Sequence, residues 1–172
     1  MEEEGIDFEI KKFSKERTMT QRKYKINDNY FSISNQTSDS CYILGLLASD
    51  GCVASKQNQV YIELQRCDRE LLEKINVKIS NERPIKDYIN HSKNYENSKL
   101  YFFSSQIKED LSQYNIVPNK THQNEDFLEN VQEQYIFDFI RGFFDGDGSI
   151  KWTNGSITWQ IDSSSLKTLE HI

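Results

Sequence analysis

An internal repeat constrains this chain more than any other feature of its sequence. Residues 43–75 align with residues 140–172 at a shift of 97 positions, without a gap, and seven of the 33 aligned positions are identical. Chance pairing at average residue frequencies would give roughly two identities. Apolar character is also kept at aligned positions that include Val53/Ile150, Val60/Ile157 and Ile62/Trp159. The repeat therefore predicts two similar lobes.

Each copy of the repeat begins with an apolar helix that ends in Asp-Gly. Thr37, Ser38 and Asp39 are good N-cap residues before the apolar run 41–47. We expect this helix to stop at Asp50-Gly51, with the glycine in the left-handed C′ conformation. The second helix is predicted from about 132 to 147, with Gly148 at its end.

Shorter periodic patterns follow each helix. Apolar residues alternate with polar ones over 60–65, which indicates a strand with one buried face. A helix beginning at Asp68, a strand pair at 84–90 and 99–104, and a further helix over 107–114 complete the first lobe. The predicted element order is α-β-β-α-β-β-α, a linker, and then α-β-β-α.

Domain boundaries follow from this order. We expect a basic leading segment or arm over 1–37, the first lobe over 38–120, a linker over 121–131 and a partial second lobe over 132–172. Judged by the first lobe, the second lacks roughly 50 residues. The sequence thus predicts an incomplete second lobe, or one that a second chain completes.

The net charge of −6, from 21 basic and 27 acidic residues, argues by itself against nucleic acid as a partner. The distribution of the charge weakens that argument. Residues 121–172 carry 3 basic and 9 acidic groups, which accounts for the whole net charge of −6. The leading segment also holds a cluster of basic side chains, namely Lys11, Lys12, Lys15, Arg17, Arg22, Lys23 and Lys25.

Composition also bears on the cellular setting. No run approaches the ~18 apolar residues of a membrane span, and no secretory leader opens the chain. We expect a soluble, intracellular protein without a membrane partner, its compartment undetermined. The three cysteines, at 41, 52 and 67, are expected to be buried free thiols.

The repeated Asp-Gly places a carboxylate, Asp50 or Asp147, at the end of each apolar helix. A helix C-terminus already carries partial negative charge, and two carboxylates meeting there repel. A hard divalent cation relieves both problems, and beside a phosphate such a pair makes a hydrolytic site. The plainer alternative is that Asp-Gly only ends each helix. An EF-hand does not fit, because the loop glycine would be Ile150 and the final glutamate Ser156.

The two motifs, YILGLLASDG at 42–51 and FIRGFFDGDG at 139–148, resemble the paired motifs of LAGLIDADG homing endonucleases. YKINDNYFSIS before the first motif and NIVPNKT between the lobes extend the resemblance. It implies an α+β fold, a saddle of two pseudo-twofold-related αββαββα lobes, here with the second lobe incomplete. It also implies double-stranded DNA across the sheets and cutting of both strands with Mg²⁺ or another divalent cation such as Mn²⁺.

The resemblance also assigns roles to residues. Asp50 and Asp147 would be catalytic and would hold the metal, with the backbone carbonyls of Ser49 and Gly146 as further ligands. Lys120 would polarise the scissile phosphate or help to activate water, unless it is only an exposed linker lysine. Glu63 and Gln160 would position water, or are ordinary sheet-surface residues. The candidate DNA-binding residues on the strand faces are Lys56, Tyr61, Glu63, Gln65, Lys86, Lys99, Lys151, Trp152 and Gln160.

Three functions are therefore open. The first is a site-specific DNA endonuclease encoded by an intron or another mobile element. The second is a non-cutting relative that binds nucleic acid, either an intron maturase or a DNA-binding regulator. The third is an inactive, truncated remnant.

Overall fold

The computed structural model describes residues 23–80, 82–90, 95–153 and 155–172. It shows an α+β fold with two antiparallel sheets. The first lobe contains α1 (Ser38–Ser49), β1 (Gly51–Val53), β2 (Gln59–Gln65), α2 (Arg69–Ile79), β3 (Lys86–Asn90), β4 (Tyr95–Phe103) and α3 (Ser105–Ser112). The second contains α4 (Ile136–Asp147), β5 (Gly148–Thr153), β6 (Ser156–Ile161) and α5 (Leu166–His171). Short 3₁₀ turns lie at Ile33–Asn35, Arg66–Asp68, Lys120–His122 and Glu133–Tyr135.

The order of the helices and strands is the predicted one, and some boundaries differ. β4 begins at Tyr95, so the polar loop between β3 and β4 is shorter than predicted. α4 begins at Ile136 instead of 132, because Glu133–Tyr135 forms a 3₁₀ turn ahead of it.

The predicted left-handed glycine at the end of α1 is wrong. Among the described glycines only Gly155 has a positive φ, so Gly51 and Gly148 do not take that conformation. α1 instead passes almost directly into β1, and a Cβ on Gly51 would lie 2.5 Å from the Leu47 carbonyl oxygen. Glycine is thus required at position 51 because the backbone passes close to Leu47. Glycine is required at position 148 for the same reason, since the backbone there passes close to Phe144.

The first residues of α1 are fixed by a capping box. The Thr37 hydroxyl accepts a hydrogen bond from the Ser40 amide at 3.1 Å, and the Thr37 amide donates to the Ser40 hydroxyl at 2.8 Å. Two amides that have no partner within the helix are thereby satisfied. The cap starts the helix at the position predicted from the sequence.

The first-lobe sheet has the strand order β1-β2-β4-β3. Val60 pairs with Phe102 and Ile62 with Leu100, and these four side chains are buried against the helices. The residues between them face the other way, toward solvent, as period-2 alternation requires. The helix side of the sheet packs on buried residues of all three first-lobe helices, including Leu44, Leu72, Ile75, Ile107 and Leu111.

The two lobes meet through α1 and α4, which pack more extensively than any other pair of helices in the described chain. The helices approach at two glycines. A Cβ on Gly45 would overlap the Phe139 carbonyl oxygen and lie 2.7 Å from the Phe143 nitrogen. A Cβ on Gly142 would overlap the Tyr42 carbonyl and lie 3.1 Å from the Leu46 nitrogen. Both helices run with their C-termini toward the same end of this contact, which brings Ser49 beside Gly146.

The described part of the predicted leading segment, 23–37, packs against the first lobe, with Phe31 fully buried. The buried Gln36 side chain donates to the Asn130 carbonyl at 2.7 Å and accepts from the Gln132 amide at 2.8 Å. It therefore ties this segment to the connection between the lobes. The basic residues from Lys11 to Arg22 lie outside the described residues.

The cysteines are only partly as expected. All three are free, but only Cys41 is fully buried, while Cys52 is half-buried and Cys67 is exposed. Cys67 lies in the 3₁₀ turn after β2, on the surface, so the prediction of a buried thiol is wrong there. In the portion of the chain that the structure describes, no helix is long and apolar enough to cross a membrane.

Candidate functional site

The two motif aspartates lie at adjacent helix ends. Asp50 is the C-cap of α1 and Asp147 is the last residue of α4. An ideal Cβ on Gly146 would lie 3.1 Å from Asp50 Oδ2 and would overlap the Ser49 side chain. Glycine at 146 and serine at 49 therefore allow the two helix ends, and with them the two carboxylates, to approach.

The surroundings of these carboxylates disfavour their charged forms. Burial raises the pKa of Asp50, against the opposing charge of Lys120. Burial also raises the pKa of Asp147, and the charge of Asp50 raises it further. The two groups thus interact electrostatically, and the partial negative charge of two helix C-termini adds to the repulsion.

Lys120 is buried beside the carboxylates, with 8% of its surface exposed. Its ammonium donates to the Ser49 carbonyl at 3.0 Å and to the Gly51 carbonyl at 2.7 Å. Burial lowers its pKa, an effect that Cys52, Asp147 and Asp50 oppose. The preceding residue, Asn119, adopts the left-handed conformation with φ 60°, which asparagine tolerates. The backbone turns there just before Lys120. Lys120 is therefore a buried cation at the end of α1, unlike an exposed linker lysine.

These residues suit a hard divalent cation. The possible ligands are the two carboxylates, whose pKa values are raised, and the backbone carbonyls at the same helix ends. The Ser49 carbonyl also accepts a hydrogen bond from the Lys120 ammonium. Among the described residues, no group of three or more histidine, cysteine, aspartate or glutamate side chains is placed to hold a metal ion. Mg²⁺ usually keeps several waters and can be bound by one or two protein carboxylates together with phosphate oxygens.

The other acidic residue of the second motif, Asp145, has a different role. Asp145 Oδ2 accepts a hydrogen bond from the Tyr42 hydroxyl of α1 at 2.8 Å. The Arg141 guanidinium lies 4.9 Å from the centre of the Tyr42 ring. Asp145 therefore joins the two helices, whereas Ala48 at the aligned position of α1 can make no such bond.

Five of the candidate DNA-binding residues lie together on the polar face of the first-lobe sheet. Glu63, Lys99 and Lys86 form one row across β2, β4 and β3, and Tyr61 and Gln65 lie on the same face. Lys99 forms an ion pair with Glu63 at 3.5 Å and lies 3.3 Å from the centre of the Tyr61 ring. Partial burial acts to raise the pKa of Glu63. Hydrogen bonds from Tyr88 and Asn97 and the charge of Lys99 outweigh this effect, so the pKa lies below its usual value.

The other candidates are more dispersed. Lys56 lies exposed in the β1–β2 loop. In the second lobe Lys151 donates to Gln160 Oε1 at 3.2 Å, and both lie on one face of the β5–β6 sheet. Trp152 lies on the opposite face from Lys151, because adjacent strand residues point to opposite sides.

The structure adds residues to this face that the sequence reasoning missed. These residues are Asn97 and Tyr101 of β4 and Tyr88 of β3. The strand register places their side chains on the same face as Glu63 and Tyr61. The sequence carried no signal for this extension, because residues 96–99 are all polar and show no apolar alternation, yet β4 begins at Tyr95, four residues before its predicted start. A cleft of about 720 Å³ lies between one end of this face and the C-terminal end of α4. Its lining includes Asp50, Glu63, Asn97 and Gly146.

The second lobe also matches a known family. Residues 134–172, from the 3₁₀ turn before α4 to the end of α5, match the family model described as LAGLIDADG-like domain. This part of the chain is therefore similar to a LAGLIDADG-like domain. Such a domain indicates the homing endonuclease or maturase family, whose members bind DNA and are generally nucleases. A comparison with curated proteins found no match to this chain.

The raised pKa values of the two aspartates predict how stability depends on pH. A folded-state pKa above the unfolded value of 3.8 means that the folded protein holds the proton more tightly. Each carboxyl group therefore makes the free energy of unfolding fall as pH rises from about 4 through its folded pKa. We expect Asp50→Asn, which removes one charge, to raise the free energy of unfolding at pH 7 when divalent cations are absent.

Urea unfolding between pH 4 and pH 7.5, with a chelator present, measures this effect. The unsubstituted chain, measured under the same conditions, is the reference. Parallel pH curves for Asp50→Asn and the unsubstituted chain would show that the two carboxylates do not destabilise the fold.

Proposed function

We propose that this chain is a site-specific, divalent-metal-dependent endonuclease that hydrolyses phosphodiester bonds of double-stranded DNA. The observation that carries the proposal is the meeting of Asp50 and Asp147 at the ends of two packed helices, with the Lys120 ammonium beside them. The family match over residues 134–172 is consistent with this chemistry.

Asp50, Asp147 and the carbonyls of Ser49 and Gly146 would hold the metal, Mg²⁺ or another divalent cation such as Mn²⁺. When bound, such an ion activates water and stabilises the leaving oxygen in phosphodiester hydrolysis. The helix ends hold both carboxylates in place before DNA arrives, because glycines fix the contact between α1 and α4. Lys120 offers a cation that is held by two carbonyls and is therefore positioned to stabilise charge on a phosphate.

The polar face of the first-lobe sheet would bind the duplex. Lys86 and Lys99 are suited to phosphate oxygens, and the exposed amide of Gln65 is suited to base edges. Lys151 and Gln160 would extend this contact over the second lobe. The net charge of −6 lowers the expected affinity for DNA. It does not exclude binding at this face, because residues 41–120 of the first lobe carry 11 basic and 10 acidic groups.

The test is cleavage of a supercoiled plasmid that carries the uninterrupted sequence of the gene flanking the coding region. We expect linear product with Mg²⁺ or Mn²⁺ and none with a chelator. Salt-sensitive binding of the same DNA without cleavage at any metal concentration would favour the non-cutting alternative, a maturase or a DNA-binding regulator.

Lys120→Gln should reduce the cleavage rate by roughly 10²-fold with little change in DNA affinity. The glutamine amide can still donate to the carbonyls of Ser49 and Gly51, so the substitution removes the charge while keeping a hydrogen-bond donor. Single-turnover cleavage and filter binding separate the two effects. Lys167→Gln, on the exposed surface of α5, is the control for the loss of one positive charge. Equal cleavage by both variants would make Lys120 a structural anchor of α1 only.

A further inference from the structure

An arginine stacks on aromatic rings at the polar face of the first-lobe sheet. The Arg83 guanidinium lies 4.3 Å from the centre of the Tyr101 ring and 5.3 Å from the centre of the Phe103 ring. Both rings belong to the face of β4 that carries Lys99, because side chains alternate along a strand. The ring of Tyr24, in the leading segment, also lies 5.3 Å from this guanidinium. Three rings therefore hold Arg83 at the polar face.

The charge of Arg83 has no acidic partner, in contrast to those of the other two first-lobe arginines. Arg66 and Arg69 each form ion pairs with Asp87 and with a glutamate. Within the part of the chain that the structure describes, no carboxylate pairs with Arg83, and its buried Nε has no hydrogen-bond partner. Contact with aromatic rings holds a guanidinium in place without neutralising it. Arg83 is thus a fixed cation whose charge is available to an anion.

A second cation lies against the same ring of the leading segment. The ammonium of Lys23, an exposed residue, is 5.3 Å from the centre of the Tyr24 ring, as the Arg83 guanidinium is. Two cations that converge on one ring repel each other, and an anion bound beside them relieves the repulsion. β3 pairs with β4 only as far as Lys99, so β4 is the outermost strand at Tyr101. The two cations therefore lie at the rim of the polar face.

We propose that Arg83 binds a backbone phosphate of duplex DNA, and that Tyr24 and Tyr101 are positioning residues that hold its guanidinium for this contact. A rim position suits a phosphate, because phosphate contacts set the register of a protein on the duplex while base edges are read within the groove. A stacked guanidinium loses little freedom on binding and can donate two hydrogen bonds to phosphate oxygens. The inference deepens the proposed function and rests on its duplex binding, not on cleavage.

Fluorescence anisotropy of two labelled duplexes with the full chain, in the presence of a chelator, tests this contact. One duplex carries the uninterrupted gene sequence and the other an unrelated sequence. Arg83→Gln should weaken binding of both duplexes roughly fivefold and lower the slope of log affinity against log salt concentration by about 0.9. Arg83→Lys keeps the charge but not the planar stack, so it should keep the slope and lose only part of the affinity.

Arg69→Gln is the matched control, because it removes an arginine charge that is already paired and that lies on α2, at the helix side of the sheet. We expect it to leave the affinity and the slope unchanged. Circular dichroism and thermal unfolding check that every variant folds.

The positioning role of the leading segment has its own test. Tyr24→Ala should weaken duplex binding roughly threefold. Most of that loss should disappear when Arg83→Gln is already present, since Tyr24 acts mainly through the guanidinium. Tyr24→Phe keeps the ring and should bind like the unsubstituted chain. A loss of the same size in both backgrounds would mean that Tyr24 only supports the fold, and would refute its positioning role.

Arg83→Gln with the affinity and salt dependence of the unsubstituted chain would overturn the inference. A loss confined to the gene sequence would also overturn it, because Arg83 would then contact a base edge. The absence of any duplex binding by the unsubstituted chain would overturn both this inference and the proposed function. Binding with the expected dependence on Arg83, but no cleavage with Mg²⁺, would contradict the proposed function alone.

Discussion

Replacing either Asp50 or Asp147 by asparagine should abolish cleavage of both DNA strands, with a loss of roughly 10³-fold or more. Asparagine keeps the shape of the side chain but is neutral, so it is a much weaker ligand for a hard cation. Because the two carboxylates lie at one junction of α1 and α4, the loss of one changes the metal environment of both.

The measurement is the appearance of nicked and linear forms from a supercoiled plasmid, quantified for each variant over time. Asp145→Asn is the matched control, since it changes a carboxylate of the same motif that bonds Tyr42, and asparagine still accepts that bond. We expect Asp145→Asn to retain most of the cleavage rate. Cleavage by Asp50→Asn and Asp147→Asn at the unsubstituted rate would refute the assignment of both residues.

Measuring the stability of the same variants tests whether misfolding causes the loss of activity. The raised pKa values of Asp50 and Asp147 show that their charges destabilise the fold. The asparagine variants are therefore expected to be at least as stable as the unsubstituted chain at neutral pH. Loss of cleavage together with unchanged or higher stability would identify these positions as functional, since a core residue would lose both.

Local sequence signals predicted the elements of this fold well where periodicity and capping agree. Thr37 caps α1 as its position before the apolar run indicates, and the alternation of β2 gives the buried face of the sheet. The repeat placed Asp50 and Asp147 at corresponding helix ends because both motifs align without a gap.

The details that the sequence could not supply depend on contacts between distant residues. Lys120 bonds carbonyls about 70 positions away, and Tyr42 bonds Asp145 across the helix pair. Nothing local distinguishes these side chains from exposed ones. Trp152 illustrates the other difficulty, since Lys151 and Trp152 were both candidates for contact with DNA, whereas a strand turns adjacent side chains to opposite faces.

Gly142→Ala should destabilise the protein by about 3 kcal/mol or more. The added Cβ would overlap the Tyr42 carbonyl and lie 2.8 Å from its carbon, and backbone atoms of a packed helix cannot move aside cheaply. The intrinsic preference of alanine for helices, about 1 kcal/mol over glycine, acts in the opposite direction but is smaller. For a chain of this size we expect the melting temperature to fall by roughly 10 °C.

Thermal and urea unfolding measure the loss, and Gly155→Asn is the control. Gly155 has φ +83°, which asparagine tolerates, and no atom lies within 4 Å of an added Cβ. A melting temperature for Gly142→Ala within a degree or two of the unsubstituted value would mean that α1 and α4 are separable. Because Gly142 lies one and a half turns before Asp147 on α4, any displacement that relieves the clash also moves that carboxylate away from Asp50. Gly142→Ala should therefore lose cleavage even at temperatures where it remains folded.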